Sequence, residues 1–241
     1  GERGDVPWVD GWQGQMGIRD RILFSEGGGG RPGEDMLGPW VSFDTHTFTQ
    51  FSKLSGAVPL IGVNHGRCFA GNTVLLACCD VIIATKDSTI GMGGPAMIEG
   101  GGLGVYAPED VGPMSFQVPN GVVDILVEDE AAAVVVAKKY LSYFQGKVDA
   151  WETPDQRILR HVVPENRLRL YEMRDVISTI ADIDSVLEVR EKFGVGIITA
   201  FIRVEGKPMG VIANNPHHLA GAIDSDGADK GARFLKLCDA F

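Results

Sequence analysis

The central part of the chain is a series of apolar runs separated by short stretches of small or polar residues. The runs at 59–63 and 81–84 have the length and composition of buried strands. Between them, small residues at 66–72 predict a turn that leads into an apolar helix at 73–79. A strand that enters a helix through Ala70-Gly71-Asn72 leaves free backbone N–H groups at the helix start, where they can hold a developing oxyanion. Gly71 has no Cβ, so a substrate carbonyl can approach it closely; a glycine required only for helix–strand packing is the simpler alternative.

The remaining pattern predicts a mixed α/β protein. Further helices are predicted at 43–55, 131–144, 173–181 and 226–239, and further strands at 21–24, 196–204 and 209–214. We expect Asp129 and Glu130 to cap the second of these helices, and Ser225 or Asp226 to cap the last. Residues 205–208 are typical of a hairpin between the last two strands. The Gly- and Pro-rich stretch at 91–119 is expected to be loop with short elements.

The order of these central elements resembles the crotonase superfamily, whose members stabilise enolates of acyl-CoA thioesters. The matching residues are Asn64, with His65 inserted before Gly66, then Ala70-Gly71-Asn72 and Cys79-Asp80. The resemblance implies that Gly71 is one oxyanion-hole donor and that an upstream Gly-rich loop supplies the other. Here that loop is 27–30, which read without the resemblance is a phosphate-cradling loop or a flexible turn.

This chain lacks the carboxylates that a hydratase of this superfamily would use. A hydratase needs carboxylates that move a proton to or from water. The corresponding positions are Val74, three residues after the turn glycine, and the region of Gly94. Neither is ionisable, whereas CO2 transfer needs an enolate-stabilising hole and can use the departing biotin ring as the proton acceptor.

The flanking sequence resembles the biotin-dependent acyl-CoA carboxyltransferases. Residues 25–31 are similar to their Ser-Gly-Gly-Ala-Arg loop, with Gly28 and Gly29 at the two glycines, Gly30 at the alanine and Arg31 at the arginine. Residues 91–98 are similar to the family's second Gly-Pro loop, and 165–241 to the opening of its second domain. Both glycine loops depart from the commoner forms, so the resemblance leaves the acyl specificity open.

The resemblance implies a specific set of site residues. The backbone N–H groups of Gly28, Gly29 and Gly71 are expected to be the catalytic oxyanion donors. The residues expected to bind substrate are Gly30, Arg31, Ala70, Gly93 and Gly94, although the 93–95 segment is equally interpretable as a structural turn. No metal site is expected.

The implied fold is α/β, a crotonase-like β-β-α spiral built as two related subdomains with the second truncated. We expect a first carboxyltransferase subdomain at 1–146 without its upstream part, a linker at 147–166 containing Pro154 and Pro164, and the start of the second subdomain at 167–241. The oxyanion hole of the second subdomain would lie beyond Phe241, so the chain as given is expected to be catalytically incomplete.

The predicted function is the carboxyltransferase step of a biotin-dependent acyl-CoA carboxylase of the acetyl- or propionyl-CoA type. The cofactor would be biotin, present as carboxybiotin on a carrier domain or subunit. Expected partners are acyl-CoA, the biotin carrier, biotin carboxylase and further copies of the chain. Two alternatives stay open: a biotin-independent decarboxylase or isomerase of acyl-CoA, and a non-catalytic assembly or binding module.

Composition narrows the partners. The 241 residues are 44% hydrophobic with a formal net charge of −10, and a pI near 4.9 argues against nucleic acid. Phosphates of CoA would therefore need local cations, for which Arg31, Arg67 and Lys86 are candidates; solvated surface charges are an equally good interpretation. Four cysteines, two of them adjacent at Cys78-Cys79, indicate core packing in a reducing cytoplasm, with no disulfide framework.

Other features predict no additional chemistry. His217-His218 are adjacent, so their side chains diverge, and no further ligand completes a metal site, which favours a polar loop. His65 is interpreted as a structural histidine that has a hydrogen-bond partner. We expect no covalent nucleophile, since no Ser-His-Asp or Cys-His set has motif spacing. No apolar run approaches the ~20 residues that span a bilayer.

Overall fold

The structure of the protein, a computed structural model, describes residues 21–29, 46–166 and 168–241. The strands are β1 (Arg21–Gly27), β2 (Leu60–Phe69), β3 (Val81–Thr85), β4 (Thr89–Gly91), β5 (Ile125–Val127), β6 (Leu187–Val189), β7 (Ile197–Val204) and β8 (Lys207–Asn214). The helices are α1 (Thr47–Ser52), α2 (Gly71–Ala77), α3 (Pro95–Gly100), α4 (Met114–Gln117), α5 (Glu130–Ser142), α6 (Leu159–Val162), α7 (Met173–Ile180) and α8 (Ser225–Ala240). Short 3-10 helices lie at Pro108–Asp110, Gln156–Ile158 and Leu219–Gly221.

The first sheet is parallel and is organised around β2. Its order is β1-β2-β3-β5, and β4 also pairs with β2. β3 pairs with the first half of β2, from Ile61 to Asn64, whereas β4 pairs with its end, from Arg67 to Phe69. The long strand β2 therefore has different neighbours along its length, and the carboxyl ends of β1, β2 and β4 meet at one edge.

The second sheet is antiparallel, in the order β6-β7-β8. β7 and β8 are joined by a two-residue turn, Glu205-Gly206, in which both residues have positive φ (52° and 77°). Two positive φ values are the signature of the tight turns that match the twist of hairpin strands. The turn is held from outside, because the Asp182 carboxylate accepts hydrogen bonds from both of its backbone N–H groups (3.0 and 2.7 Å).

Alternation along β2 explains how the two faces of the first sheet are covered. Ile61 and Val63 pack with α5 and with side chains of the second sheet in one apolar cluster. Leu60 lies in a separate cluster with Leu76 of α2, and a Cβ added at Gly62 would lie 2.3 Å from a Leu76 methyl carbon. Since successive strand residues point to opposite faces, α2 and α5 lie on opposite sides of the sheet.

The second sheet joins the first cluster through aromatic residues. Phe201 of β7 contacts the rings of Tyr140, Tyr143, Phe144 and Phe234 at centroid distances between 5.0 and 5.7 Å. Ile198, Ala200 and Ile202 on the other face of β7 form a separate cluster with α7.

Two charged groups are buried next to this aromatic contact. Arg203 lies over the Tyr143 ring at 5.4 Å and donates hydrogen bonds to the carbonyls of Ser142 (2.5 Å), Gly146 (2.9 Å) and Gly206 (2.7 Å). Lys230 of α8 is only 1% exposed, and its Nζ has no hydrogen-bond partner among the described residues. Burial lowers the pKa of Lys230 to about 8.

Most predicted elements are confirmed, with corrections at their ends. The predicted turn at 66–72 is wrong in its first half, because residues 67–69 continue β2 by pairing with β4. The helix predicted at 73–79 begins at Gly71. The last helix begins at Ser225, and its cap is Asp224, whose carboxylate accepts from the Gly227 N–H at 2.8 Å, instead of Ser225 or Asp226.

The helices predicted at 131–144 and 173–181 are confirmed as α5 and α7. Asp129 caps α5 as predicted, accepting a hydrogen bond from the Ala132 N–H. The helix predicted at 43–55 is confirmed over Thr47–Ser52, and its first three residues lie outside the described part of the chain. The hairpin loop is shorter than predicted, since Lys207 and Pro208 already belong to β8. No helix in the described ranges combines the length and apolar character required to cross a membrane.

Candidate active site

Glycine-rich segments from three places in the sequence converge at the carboxyl edge of the first sheet. A Cβ added at Gly29 would lie 3.2 Å from the Ala70 Cβ, and a Cβ added at Gly94 would lie 3.6 Å from the Gly28 carbonyl oxygen. The structure thus brings together predicted residues that follow β1, β2 and β4. Gly71 is adjacent to Ala70 and is part of the same site.

Of the three other predicted site residues, one lies away from this contact and two are outside the described residues. Gly93 is one residue removed from the contact, and among the described residues a Cβ there would meet only the Met97 Cβ, at 3.9 Å. Gly30 and Arg31 lie outside the described residues. The oxyanion and substrate roles of all these residues stay predictions.

The turn before α2 has an unusual backbone at Ala70, with φ 54° and ψ −123°. A non-glycine residue with positive φ costs on the order of 1–3 kcal/mol and persists only where its surroundings hold it. The Ala70 N–H donates to the carbonyls of Gly91 (3.3 Å) and Met92 (3.1 Å), which fix the turn to the end of β4. This conformation turns the chain sharply from β2 into α2.

The start of α2 offers unused hydrogen-bond donors. Gly71 is the first residue of the helix, and no side chain caps it. The first N–H groups of a helix have no acceptor within the helix. In the described part of the chain, the N–H groups of Gly71 and Asn72 also have no acceptor elsewhere. These donors are available to an anionic oxygen, which the helix dipole also favours.

Two hydroxyl side chains, the buried Ser25 and the partly buried Thr73, connect the elements below the turn. The Thr73 hydroxyl lies 2.8 Å from the Cys68 carbonyl oxygen and 2.9 Å from that of Gly91, so it can donate to either. The Ser25 hydroxyl lies 3.0 Å from the Cys68 sulfur and 3.3 Å from the Asn72 carbonyl oxygen. Together they connect β1, β2, β4 and α2, which keeps the turn rigid.

The sequence interpretation did not assign Thr73 or Ser25 a role. The available signal was a hydroxyl residue within or next to an apolar element, which indicates a buried hydrogen bond but does not name its partner.

Side chains from neighbouring elements leave little space beside the glycines of the turn. A Cβ at Gly27 would lie 2.2 Å from the Asn72 side-chain nitrogen, and a Cβ at Gly71 would lie 3.1 Å from Cζ of Phe48. The Phe48 ring of α1 therefore lies directly against the first residue of α2, a contact that the sequence did not reveal.

The turn provides hydrogen-bond donors but no side chain for proton transfer. Gly71, Asn72 and Thr73 follow Ala70, and Val74 occupies the position where a hydratase needs a carboxylate. Asn64, the family-matched residue of β2, is buried, and its amide nitrogen donates to the Thr89 carbonyl at 3.4 Å. The geometry can stabilise an oxyanion, whereas the base must come from elsewhere.

Two of the three candidate phosphate-binding cations are engaged in surface ion pairs, and the third, Arg31, lies outside the described residues. Arg67 pairs with Glu109, and Lys86 pairs with Glu128 at 2.7 Å. The hydrogen bond that Lys86 donates to the Glu128 carboxylate raises the pKa of Lys86. Binding a CoA phosphate at either residue would require competition with its carboxylate partner.

Three of the five histidines, His65, His217 and His218, have carboxylate neighbours. His65 lies between Glu26 (3.7 Å) and Glu130 (4.0 Å), and His218 Nε2 lies 2.8 Å from the Asp224 carboxylate. Over the described ranges, no group of three or more His, Cys, Asp or Glu side chains is arranged to hold a metal ion.

The cysteines lie in the described residues and are free thiols. Cys79 is buried as predicted, and burial is the main reason that its pKa is raised to about 12. Cys78 is only partly buried. A thiol with so high a pKa is an unreactive packing group.

Comparison with known proteins gives one consistent family. Residues 25–241 match the carboxyl transferase domain family. The chain is 33% identical over 231 residues to the methylmalonyl-CoA carboxyltransferase 12S subunit of Propionibacterium freudenreichii subsp. shermanii, covering 91% of this chain and 43% of that protein. It is 31% identical to the methylmalonyl-CoA decarboxylase subunit alpha of Veillonella parvula, covering 80% of this chain and 40% of that protein.

Among solved structures, a single-chain, multi-domain long-chain acyl-CoA carboxylase matches with a TM-score of 0.87 and 58% identity. The match covers 91% of this chain and 22% of that one. The predicted α/β crotonase-like fold is thereby confirmed. The chain spans less than half the length of the curated relatives that it matches.

Proposed function

The chain belongs to the carboxyl transferase domain family, and we propose that the protein containing it transfers CO2 from carboxybiotin to the α-carbon of an acyl-CoA thioester. The observation that carries this proposal is the convergence of Gly28 and Gly29 with the free N–H groups at Gly71. An acyl-CoA substrate is supported by the similarity to a long-chain acyl-CoA carboxylase and to two methylmalonyl-CoA enzymes.

The donors at the turn would act on the thioester carbonyl. With its oxygen held by the N–H groups around Gly28, Gly29 and Gly71, loss of the α-proton places negative charge on that oxygen. Each preorganised donor is typically worth about 3 kcal/mol of barrier, because it meets charge that develops in the transition state. The α-carbon of the enolate then forms a bond to CO2.

The residues at the turn fit a reaction whose base is external. They supply donors for an enolate and, from Gly71 to Val74, no ionisable side chain. Bound carboxybiotin would supply the CO2 and, through its ureido nitrogen, the base. The contribution of this chain is to bind and orient the thioester and to stabilise its enolate.

Decarboxylation is a second candidate, favoured by the 31% identity to a methylmalonyl-CoA decarboxylase subunit. Loss of CO2 from a carboxylated thioester gives the same enolate, so the same donors would serve. An isomerase, or a module that binds acyl-CoA without turnover, would also use the turn, but no relative reported above has such a name.

We propose that residues 1–146 belong to the first carboxyltransferase subdomain, 147–166 to a linker, and 167–241 to the start of the second. The apolar cluster shared by β2, α5 and β7 means that the second part packs directly on the first. We also propose that the full-length protein forms homo-oligomers. Its other proposed partners are a biotin carrier and a biotin carboxylase.

The test uses the full-length protein with biotin carboxylase, biotin carrier, ATP and isotope-labelled bicarbonate. We expect labelled carboxylated product from acetyl-, propionyl- or a longer acyl-CoA, with loss of product when avidin blocks biotin. CO2 release from a carboxylated thioester that persists with avidin would instead support the biotin-independent decarboxylase. No product and no CO2 release with any thioester would contradict both.

A further inference from the structure

Phe48 places an aromatic surface directly against the proposed oxyanion turn, Ala70-Gly71-Asn72 at the start of α2. Its ring tip would lie 3.1 Å from a Cβ on Gly71, and its side chain is only partly buried. The neighbouring Phe51 and Leu54 pack into the apolar cluster beneath α2. These anchors fix the short helix α1, so the Phe48 ring is held at the start of α2 without being part of the core.

Two methionines border the same turn from the segment that follows β4. The Met92 carbonyl accepts a hydrogen bond from the Ala70 N–H at 3.1 Å, and Met97 lies beside Gly93. Both side chains are largely exposed, by 62% and 65%. Gly94, between them in sequence, approaches the Gly28 carbonyl. The segment that carries both methionines therefore contacts the same turn and the loop that carries Gly28.

Apolar side chains at this place have a specific use if the proposed function holds. A thioester whose carbonyl oxygen sits on the Gly71 N–H begins its alkyl chain one bond from that carbonyl carbon. Single exposed apolar residues need no explanation, but an aromatic ring against Gly71 and two exposed methionines on the segment that contacts this turn provide apolar surface for an alkyl chain. Unbranched, polarisable methionine adapts to chains of different length.

We propose that Phe48, Met92 and Met97 form an apolar rim that binds the alkyl chain of the substrate, so that the preferred substrates are medium- to long-chain acyl thioesters. This inference rests on the proposed binding of acyl-CoA at the turn. Each buried CH2 group contributes about 0.8 kcal/mol, or roughly a fourfold change in affinity, so removing part of the rim should cost more as the chain lengthens.

The test measures binding of acetyl-, hexanoyl- and dodecanoyl-CoA to the full-length protein by calorimetry, below the micelle concentration. Phe48→Ala and Met97→Gln should each weaken dodecanoyl-CoA binding about tenfold and acetyl-CoA binding less than about twofold. Met209→Gln is the matched control, because Met209 is 46% exposed on β8 of the second sheet. It should change neither affinity.

A chain-length dependence identical in wild type and in both rim variants would overturn the inference. So would an equal loss for all three ligands, because Phe48 would then only support the turn. The exposed position of Met97 keeps the test valid even if Phe48→Ala disturbs Gly71. If chain-length-dependent binding is lost in the variants but the wild type forms no carboxylated product, the rim is supported and only the carboxyl-transfer proposal fails.

Discussion

Two regions of the protein are built in opposite ways: the proposed oxyanion turn at the start of α2, and the aromatic contact around Phe201 between the two sheets. At the turn, the groups proposed to act on substrate are backbone N–H groups, the side chains are small, and Ala70 has a strained backbone. At the aromatic contact, Phe201 touches four other rings, and the Arg203 guanidinium is buried on backbone carbonyls. Side-chain chemistry is concentrated where the protein is held together, and it is sparse where catalysis is proposed.

This difference shows which features identify the proposed active site. A survey of buried ionisable groups leads to Lys230, Asp124 and Arg203, which lie where the sheets and α8 pack together. The proposed reaction instead needs preorganised donors in a place that a thioester can reach. The two regions should therefore respond differently to substitution, one mainly in stability and the other mainly in turnover.

The largest expected effect on stability is at Phe201. Phe201→Ala removes a 4%-exposed ring from contact with Tyr140, Tyr143, Phe144 and Phe234. We expect the free energy of unfolding to fall by about 3–5 kcal/mol, measured by urea denaturation of the full-length protein. Leu235→Ala, at a 61%-exposed position of α8, is the control and should change it by less than about 0.5 kcal/mol. A loss below about 1 kcal/mol at Phe201 would break the comparison.

The buried Lys230 side chain is expected to lower the free energy of unfolding. Because its Nζ is buried without a partner among the described residues, Lys230→Met should raise the free energy of unfolding by about 1–3 kcal/mol.

The pH dependence sharpens the Lys230 prediction. Folding lowers the pKa of Lys230 to about 8 from an ordinary value of 10.5, so the unfolded chain binds more protons between these values. Below about pH 8, the cost of burying the charged Lys230 side chain is present in full. The free energy of unfolding should therefore rise with pH between about 8 and 10.5, where the folded protein loses this proton before the unfolded chain does. Lys230→Met should lose that rise; the same pH slope in both proteins would contradict the assignment.

A smaller effect is expected at the strained residue of the turn. Ala70→Val places a β-branched side chain at φ 54° and should lower the free energy of unfolding by about 1–3 kcal/mol. Ala70→Gly should be tolerated within about 1 kcal/mol, because the relief of strain offsets the greater backbone entropy of glycine. Equal stability of the two variants in chemical denaturation would mean that the turn is not strained.

The smallest effect is expected at the surface. Arg67 and Glu109 form an exposed pair, so Arg67→Ala should change the free energy of unfolding by less than about 1 kcal/mol. If Arg67 instead holds a CoA phosphate, the substitution would weaken CoA binding and leave acetate or other small acids unaffected. Calorimetric titration with CoA distinguishes these roles.

The sequence predicted long apolar elements well and their spatial neighbours poorly. The apolar runs at 59–63 and 81–84 predicted β2 and β3, and Asp129 predicted the start of α5. Residues 67–69 were assigned to the predicted small-residue turn at 66–72, yet they extend β2 by pairing with β4. Three-residue strands such as β4, β5 and β6 are too short for any periodicity, since they exist through pairing with distant residues.

The site followed the same rule. Gly28, Gly29, Ala70, Gly71 and Gly94 were identified through a family resemblance in residue order, and the structure places them together. Phe48 was within a predicted helix, but its contact with Gly71 depends on how α1 packs, which local sequence does not encode. Thr73 and Ser25 were missed for the same reason, because their bonds reach across 18 and 47 residues of sequence.

The central claim is that the Gly71 N–H stabilises the enolate, and the most direct test removes that one donor. Gly71→Pro deletes the N–H at the first position of α2, where proline is tolerated in helices. Gly71→Ala is the matched control, because it also adds a Cβ against Phe48 but keeps the N–H. With both full-length variants shown to be folded by thermal denaturation, kcat for acyl-CoA carboxylation should be about 10²–10³ lower in Gly71→Pro than in Gly71→Ala. A kcat equal in the two variants to within about threefold would contradict the role of this turn as the oxyanion hole.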